Sequence, residues 1–247
     1  MSEIINIKFL YKFGKIEHLQ SLMEGKVRFM NADYYHEIER KFGSQGVGDL
    51  GDCAVNLTQY DGRYEGKILL QPYDGGEPID MTDKLLSLQF KLNDWHKLPI
   101  FCCSYAGDNN MSFCKETSLF RLDIPQNEQE LLKSMCEENC YDSVVIWDAN
   151  NFINSLKDNI GDVGFSPVEY LHRFNKNEKM VEANETDNWL KYCTLKDEDF
   201  SYQRELRIVI PDISLKIPYV VTIGNIKALK IFSVEEFFNI KLDVKYK

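Results

Sequence analysis

The stretch FSYQRELRIVI, residues Phe200 to Ile210, has the pattern of a β-strand with one unusual face. Side chains alternate across a strand, so every second residue shares a side. One side is mostly aliphatic and can enter a core: Arg204, Leu206, Ile208 and Ile210. The other side carries an amide, a carboxylate and a guanidinium in a row: Gln203, Glu205 and Arg207, followed by Val209. This polar row is either solvated, as is common on antiparallel strands, or lines a functional site.

The composition is that of a globular protein with a substantial core, since 44% of the 247 residues are hydrophobic. The sequence lacks any apolar run of about 18 residues, and its start, MSEIINIKFLYKFG, lacks the pattern of a secretory signal. We therefore expect a cytoplasmic protein that makes no contact with a membrane. The seven cysteines are odd in number and irregularly spaced, which favours reduced thiols over a disulfide framework.

The charge balance limits the class of partner. The net charge is −10, which argues against broad binding of a nucleic-acid backbone, because such binding depends on neutralised phosphates. The first 30 residues are nevertheless locally basic, through Lys8, Lys12, Lys15, Lys26 and Arg28. These side chains either are solvated strand and helix surfaces or form the rim of a cleft that binds an anion.

Apolar periodicity predicts short strands and helices in mixed order. NIKFLYK, KIEHLQSLMEGK and VRFM predict a strand, a helix and a strand, and NADYYHEIER predicts a turn that opens into a helical turn. Turn-forming residues from Lys41 to Gly76 predict a loop and a hairpin, while DKLLSLQFKL is ambiguous between helix and strand. Later segments predict a buried strand at LPIFCCSY, a helix at QNEQELLKSMCEEN and a strand at DSVVIWD. We therefore expect one α+β domain over residues 1–247, with mostly antiparallel sheets and short flanking helices.

Several common chemistries are not supported by the sequence. Cys136 and Cys140 lie four residues apart on a predicted helix, but nothing nearby completes a four-ligand zinc site, so we predict no metal. The chain has no GxSxG elbow, and its glycine-rich GSQGVGDLG lacks the GK[ST] ending of a phosphate loop.

The spacing Gln203-Arg204-Glu205 resembles the QxE form of the third motif of ADP-ribosyltransferases, which move ADP-ribose from NAD to an acceptor. The stretch Phe9–Phe29, FLYKFGKIEHLQSLMEGKVRF, resembles the opening of the branch that contains DNA- and RNA-modifying toxins. Together with IFCCSYAG and KDEDFSYQRELRIVI, it is also similar to an uncharacterised bacterial domain family often found near defence genes. The likeness covers about a third of the chain.

The resemblance implies an ADP-ribosyltransferase-like fold and a site for NAD. Breaking the bond between nicotinamide and ribose creates oxocarbenium character, which a carboxylate stabilises. The implied catalytic residues are Glu205, near the ribose, and Gln203, which orients the acceptor. The implied NAD-binding residues are Tyr11, Lys12, Tyr34, Tyr35 and Ser104: Lys12 for the pyrophosphate, Ser104 for the nicotinamide ribose, and Tyr34 or Tyr35 stacked on the nicotinamide.

The resemblance also implies partners. The acceptor would be RNA or DNA, or less favourably a protein, in a bacterial toxin or phage-defence effector that an antitoxin or other neutralising protein holds in check. The alternative is a non-catalytic binding or regulatory relative of the same fold. A transferase requires a cleft into which Lys12, Ser104 and Glu205 converge, whereas a partner-binding protein would show an apolar patch with these residues scattered.

Overall fold

The described part of the chain consists of many short strands interrupted by helices. The structure, a computed structural model, describes residues 7–43, 52–58, 69–70, 76–80, 87–107, 110–114, 119–224, 226 and 228–242. Its strands are β1 (Ile7–Gly14), β2 (Lys26–Phe29), β3 (Val55–Thr58), β4 (Leu69–Leu70), β5 (Ile79–Asp80), β6 (Ser87–Phe90), β7 (Ile100–Gly107), β8 (Met111–Cys114), β9 (Leu119–Leu122), β10 (Ser143–Asp148), β11 (Gly164–Pro167), β12 (Glu169–Leu171), β13 (Leu195–Asp197), β14 (Glu205–Val209), β15 (Tyr219–Thr222), β16 (Ala228–Ser233) and β17 (Lys241–Leu242). Its α-helices are α1 (Ile16–Met23), α2 (Ala32–Phe42), α3 (Gln126–Glu138), α4 (Ala149–Ile160), α5 (Arg173–Glu185), α6 (Trp189–Cys193) and α7 (Val234–Phe237), and 3-10 helices span Asp94–Lys97 and Glu198–Gln203.

A six-stranded sheet forms the centre of the fold, in the order β11-β14-β7-β1-β10-β16. Each neighbouring pair in it is antiparallel. Smaller ribbons surround this sheet, and among them β12 and β13 are parallel. The protein is therefore a mixed α+β structure built mainly from antiparallel strands, which confirms this part of the sequence prediction.

Both faces of the central sheet are covered, so its inner strands alternate between two cores. On one face, Leu10 and Trp147 pack with Phe152 of α4 and with residues of α1 and β2. On the other face, Phe13 and Ile146 pack against α3 and α7. A third cluster, near the end of β14, joins that strand to α5 and α6. This double coverage explains the continuous apolar run of β10, in which the first five residues are buried.

The sequence predicts that the strand from Leu206 to Ile210 lies beside or near the strand from Phe9 to Lys12, and this prediction is confirmed. In the sheet, β7 alone separates β14 from β1. The strand predicted from Phe200 begins only at Glu205, because Glu198–Gln203 forms a 3-10 helix and Arg204 adopts a left-handed conformation with φ 46° and ψ 51°. The short helical turn predicted after Asn31 is the 11-residue helix α2.

The structure tests two further sequence predictions only in part. Most of the loop and hairpin predicted between residues 41 and 76 lies outside the described residues. The ambiguous segment before Asp94 contains strand β6. In the part of the chain that the structure describes, no helix has the length and apolar character needed to cross a membrane.

Candidate functional site

A cleft opens where β1 separates from β7. The two strands pair as far as Tyr11 and Ser104. Farther along β7, Ile100 instead bridges Met30, the residue after β2, with Met30 N–H donating to Ile100 O at 3.0 Å. Between these contacts, the main chain of β7 is bound by the side chain of Lys12, whose Nζ donates to Cys102 O at 2.5 Å.

The cleft has a volume of about 420 Å³, which is within the range of small-molecule sites. Segments far apart in sequence line it, from β1, α1, β2 and α2 near the start of the chain to β13 and β14 near residue 205. Six of the seven residues proposed from the sequence line this one cleft: Lys12, Tyr34, Tyr35, Ser104, Gln203 and Glu205.

Tyr11 does not line the cleft. Strand alternation directs its ring to the opposite side from Lys12, into the core with Phe13 and Phe237, where it is 1% exposed. Its ring centroid lies 5.0 Å from that of Phe237. Tyr11 is therefore a packing residue, and its predicted contact with NAD is not supported by its position.

Glu205 is buried at the base of the cleft between two cations. Its Oε1 accepts from Arg207 Nε at 2.7 Å, and its Oε2 accepts from Lys196 Nζ at 3.0 Å. Burial alone would raise the pKa of this carboxyl, but Arg207 and Lys196 more than offset it and hold the pKa well below its usual range. Glu205 is therefore a carboxylate at neutral pH.

Arg207 is held on its far side by Asp52. Its Nη2 donates to both oxygens of Asp52 at 2.9 Å, and its Nη1 donates to Cys193 O at 2.8 Å. Because Nε, Nη1 and Nη2 each have a different partner, the plane of the guanidinium is fixed. The carboxylates of Glu205 and Asp52 balance the cations of Arg207 and Lys196. Glu205 and Arg207 therefore belong to a buried network without net charge. The polar row that begins at Glu205 is thus not a solvated strand face.

Gln203 joins the same network although it precedes the strand. Its Oε1 accepts from Lys196 Nζ at 2.9 Å. Its carbonyl accepts from Ser104 Oγ at 2.6 Å, so the serine fixes the backbone beside the left-handed Arg204. Arg204 itself is not a core residue as its position in the pattern suggested, because its Nε donates to Glu128 Oε2 at 2.8 Å.

Aromatic and thiol side chains form the wall above the carboxylate. The rings of Tyr34 and Tyr35 pack edge to face with centroids 5.5 Å apart, and Tyr34 is 38% exposed. Burial and the adjacent Cys102 thiol raise the pKa of Tyr35 far above its usual value, so its hydroxyl stays protonated. Burial and Glu205 likewise raise the pKa of Cys102, which makes this thiol a poor nucleophile.

Basic residues from β2 and the basic residue between β1 and α1 border the mouth of the cleft. We call Lys15, Lys26 and Arg28 the cationic rim; all three line the cleft and are exposed to solvent. Lys26 is partly neutralised by Glu24, at 2.9 Å. The locally basic start of the sequence is thus concentrated at one opening, although the net charge is −10.

Three partners of Glu205 and Arg207 were not foreseen from the sequence. Lys196 and Asp52 are described above, and the third is Tyr170, whose hydroxyl accepts from Glu205 N–H at 2.8 Å. Lys196 belongs to the KDEDFSYQRELRIVI stretch that carried the resemblance, and this was the one available signal. Among the described residues no group of three or more His, Cys, Asp and Glu side chains is arranged to hold a metal ion.

No protein-family model matches this sequence, and no curated protein or solved structure is significantly similar to it.

Proposed function

We propose that the protein is an NAD-dependent ADP-ribosyltransferase with an ADP-ribosyltransferase-like fold, and that NAD binds in the cleft between β1 and β7. The observation that carries this proposal is convergence: six residues singled out from four separate segments line a single cleft. Scattered positions would have favoured a partner-binding surface instead.

The chemistry assigns a role to each group. Glycosidic cleavage breaks the bond between ribose C1′ and the nicotinamide nitrogen, and nicotinamide leaves with the electron pair. Glu205 stabilises the positive charge that develops on the ribose and accepts from the 2′-hydroxyl, since each carboxylate oxygen has a second lone pair beside the one used by Arg207 or Lys196. The acceptor then forms a bond to C1′ and releases its proton to solvent.

The remaining candidates bind the substrate. Lys12 supplies a cation for the pyrophosphate, although it is a point charge without the bidentate geometry of arginine. Tyr34 and Tyr35 provide an aromatic wall against which the nicotinamide can pack. Ser104 lies beside Glu205 in the register of β7 and β14, where a ribose hydroxyl would have to be held.

For the acceptor we propose nucleic acid, either RNA or DNA, over protein. The cationic rim stands at the mouth of the cleft, where an approaching phosphate backbone would be attracted in spite of the acidic total charge. Such an activity would make the protein a toxin or defence effector, and a neutralising partner would then act by blocking this opening.

A specific observation supports the alternative of a non-catalytic binding or regulatory relative of the same fold. Both oxygens of Glu205 are already bound by cations, so the carboxylate can act as a structural anchor of the cleft. The two functions differ in one outcome, because a binding protein would hold NAD without releasing nicotinamide.

The test measures binding and chemistry separately. Calorimetry determines NAD affinity, chromatography measures released nicotinamide, and labelled NAD is incubated with separate pools of RNA, DNA and protein. We expect Glu205→Gln to lower the rate of nicotinamide release by about 10²- to 10³-fold with NAD still bound. Gln203→Ala should reduce transfer more than NAD hydrolysis, because its role is to orient the acceptor.

The control is Glu169→Gln, which makes the same charge change at a carboxylate that likewise pairs with two cations, here Lys179 and Lys191, but is about one-third exposed. It should leave both rates unchanged. NAD bound without cleavage would refute the transferase and support the alternative, and label found solely in protein would refute the nucleic-acid acceptor.

A further inference from the structure

One ammonium group links the two residues to which we assign catalysis. Lys196 Nζ donates to Gln203 Oε1 at 2.9 Å and to Glu205 Oε2 at 3.0 Å, and the residue is 3% exposed. Gln203 and Glu205 do not share a strand, because the left-handed Arg204 separates them. Their side chains are therefore aligned by a third residue and not by the regular geometry of a sheet.

The position of Lys196 is fixed by a small ribbon that holds Glu205 by its main chain as well. In the parallel pair β12–β13, Lys196 is in register with Tyr170. The Tyr170 hydroxyl accepts from Glu205 N–H at 2.8 Å, and Val168 N–H donates to Glu205 O at 2.8 Å. The same ribbon thus immobilises the backbone of Glu205 and presents the ammonium to its side chain.

The ammonium also selects the orientation of the Gln203 amide. An ammonium is a donor with no acceptor atom, so it can bind only the oxygen end of that amide. The Nε2 end then faces Tyr202 and Met135, with Nε2 lying 3.5 Å from the Tyr202 hydroxyl. The amide N–H groups are consequently directed towards Tyr202 and Met135.

We propose that Lys196 is a positioning residue, which sets the orientation of the Gln203 amide relative to the Glu205 carboxylate and so aligns the acceptor with the ribose. This inference rests on the proposed transferase function. It assigns to Lys196 no contact with NAD or with the acceptor.

The test compares three substitutions. Lys196→Met removes the ammonium and keeps most of the chain length, Lys196→Arg keeps the charge with a different geometry, and Lys191→Met removes a surface ammonium that pairs with Glu169. Each protein is examined by the NMR signals of the Gln203 side-chain amide, by kcat and KM for NAD, and by the pH profile of the rate.

For Lys196→Met we expect kcat to fall by about 10²-fold, as for a misplaced catalytic group, with a smaller change in KM. The acidic limb of its pH profile should move to higher pH, because Glu205 loses one of its two cations. Lys196→Arg should keep the acidic limb of the wild type and recover part of kcat. The Gln203 amide signals should move in both Lys196 variants and stay in place in Lys191→Met.

Wild-type kcat and an unchanged pH profile in Lys196→Met would overturn the proposal, as would unchanged Gln203 signals. If Lys196→Met does not fold, the proposal is tested with Lys196→Arg alone. A wild-type kcat and unmoved Gln203 amide signals in Lys196→Arg would overturn the proposal. A wild-type protein that does not cleave NAD would refute the proposed function, while the amide signals would still show whether Lys196 orients Gln203.

Discussion

Replacing Glu205 by glutamine should destabilise the protein as well as impair the reaction, and the cost can be worked out from its contacts. The wild-type carboxylate accepts from Arg207 at 2.7 Å and from Lys196 at 3.0 Å. A glutamine can keep an oxygen towards one of these cations, but its NH₂ end then faces the other, so one charge-assisted bond is lost. The buried charges become Lys196 and Arg207 against Asp52 alone, which leaves one cation without a balancing charge. Removing one partner of a buried ion pair costs about 3–5 kcal/mol.

This loss is large compared with the total stability of a domain, which is about 5–15 kcal/mol. For a chain of this size, about 3 kcal/mol corresponds to a fall in Tm of roughly 6–12 °C. The assay is urea unfolding of wild type, Glu205→Gln and the surface control Glu169→Gln, whose ion pairs are about one-third exposed and contribute at most about 1 kcal/mol.

The pH dependence provides the sharper measurement. The folded-state pKa of Glu205 lies below the ordinary value of 4.5, so its stabilisation is fully present above that value and is lost as the pH falls below it. The difference in unfolding free energy between wild type and Glu205→Gln should be constant from pH 7 to about 5.5 and shrink below about 4.5. A difference under about 1 kcal/mol at pH 7, or one that stays constant down to about pH 3.5, would refute this account of the network.

Three further predictions concern other parts of the molecule. Gly25→Ala should lower the free energy of unfolding in urea by roughly 3–5 kcal/mol, because φ is +86° and the new Cβ would lie 1.8 Å from Gly224 O. Gly161→Ala, where φ is also +86° but the space is open, should lower it by about 1–3 kcal/mol. Equal losses in the two variants would show that the predicted clash with Gly224 does not occur. If the acceptor is a nucleic acid, Arg28→Ala should weaken its binding and lower the slope of log affinity against log salt by about 1, whereas an unchanged slope would remove Arg28 from the interface. Thiol titration of the denatured protein without reductant should find all seven cysteines free, and a stable disulfide would count against a cytoplasmic protein.

Elements whose burial is encoded locally were predictable from the sequence. The strand predicted at DSVVIWD is β10, and the helix predicted at QNEQELLKSMCEEN is α3. DSVVIWD is a short continuous run rich in β-branched residues, and the apolar residues of QNEQELLKSMCEEN recur at helical spacing, so both elements are recognised without any distant contact. The confirmed prediction that the strands near residues 10 and 205 come close together had a different origin, because it followed from the implied convergence of Lys12 and Glu205.

Helix α2 was underestimated because a polar residue, His36, occupies one of its buried positions. His36 is 1% exposed, and its Nε2 lies 2.8 Å from the main-chain oxygen of Asp52. A hydrophobicity pattern does not mark a buried histidine of this kind as an inward-facing residue. Asn31, whose Oδ1 accepts from Tyr34 N–H, was the available sign that a full helix begins there.

The candidate site was predictable in its residues but not in its electrostatics. Gln203 and Glu205 were chosen as neighbours on one strand face, yet the left-handed Arg204 ends that regularity, and nothing in the alternating pattern indicates it. Arg207 and Lys196 keep Glu205 ionised, and Asp52 balances the charge of Arg207. Lys196 and Asp52 lie outside the strand that contains Glu205. Charge compensation of this kind depends on tertiary structure. From the sequence alone, a polar strand face is therefore predicted to be exposed.

The order of the lining segments along the chain also determines when during synthesis the cleft can exist. One wall comes from residues 12–38, which leave the ribosome before residues 196–207, and the base of the cleft depends on these later residues. Strand β7 pairs with β1 on one edge, but its other edge waits for β14. Because a domain generally folds as a unit, the cleft cannot form until these later residues have emerged. Any activity of the cleft therefore begins only after residue 207 has left the ribosome.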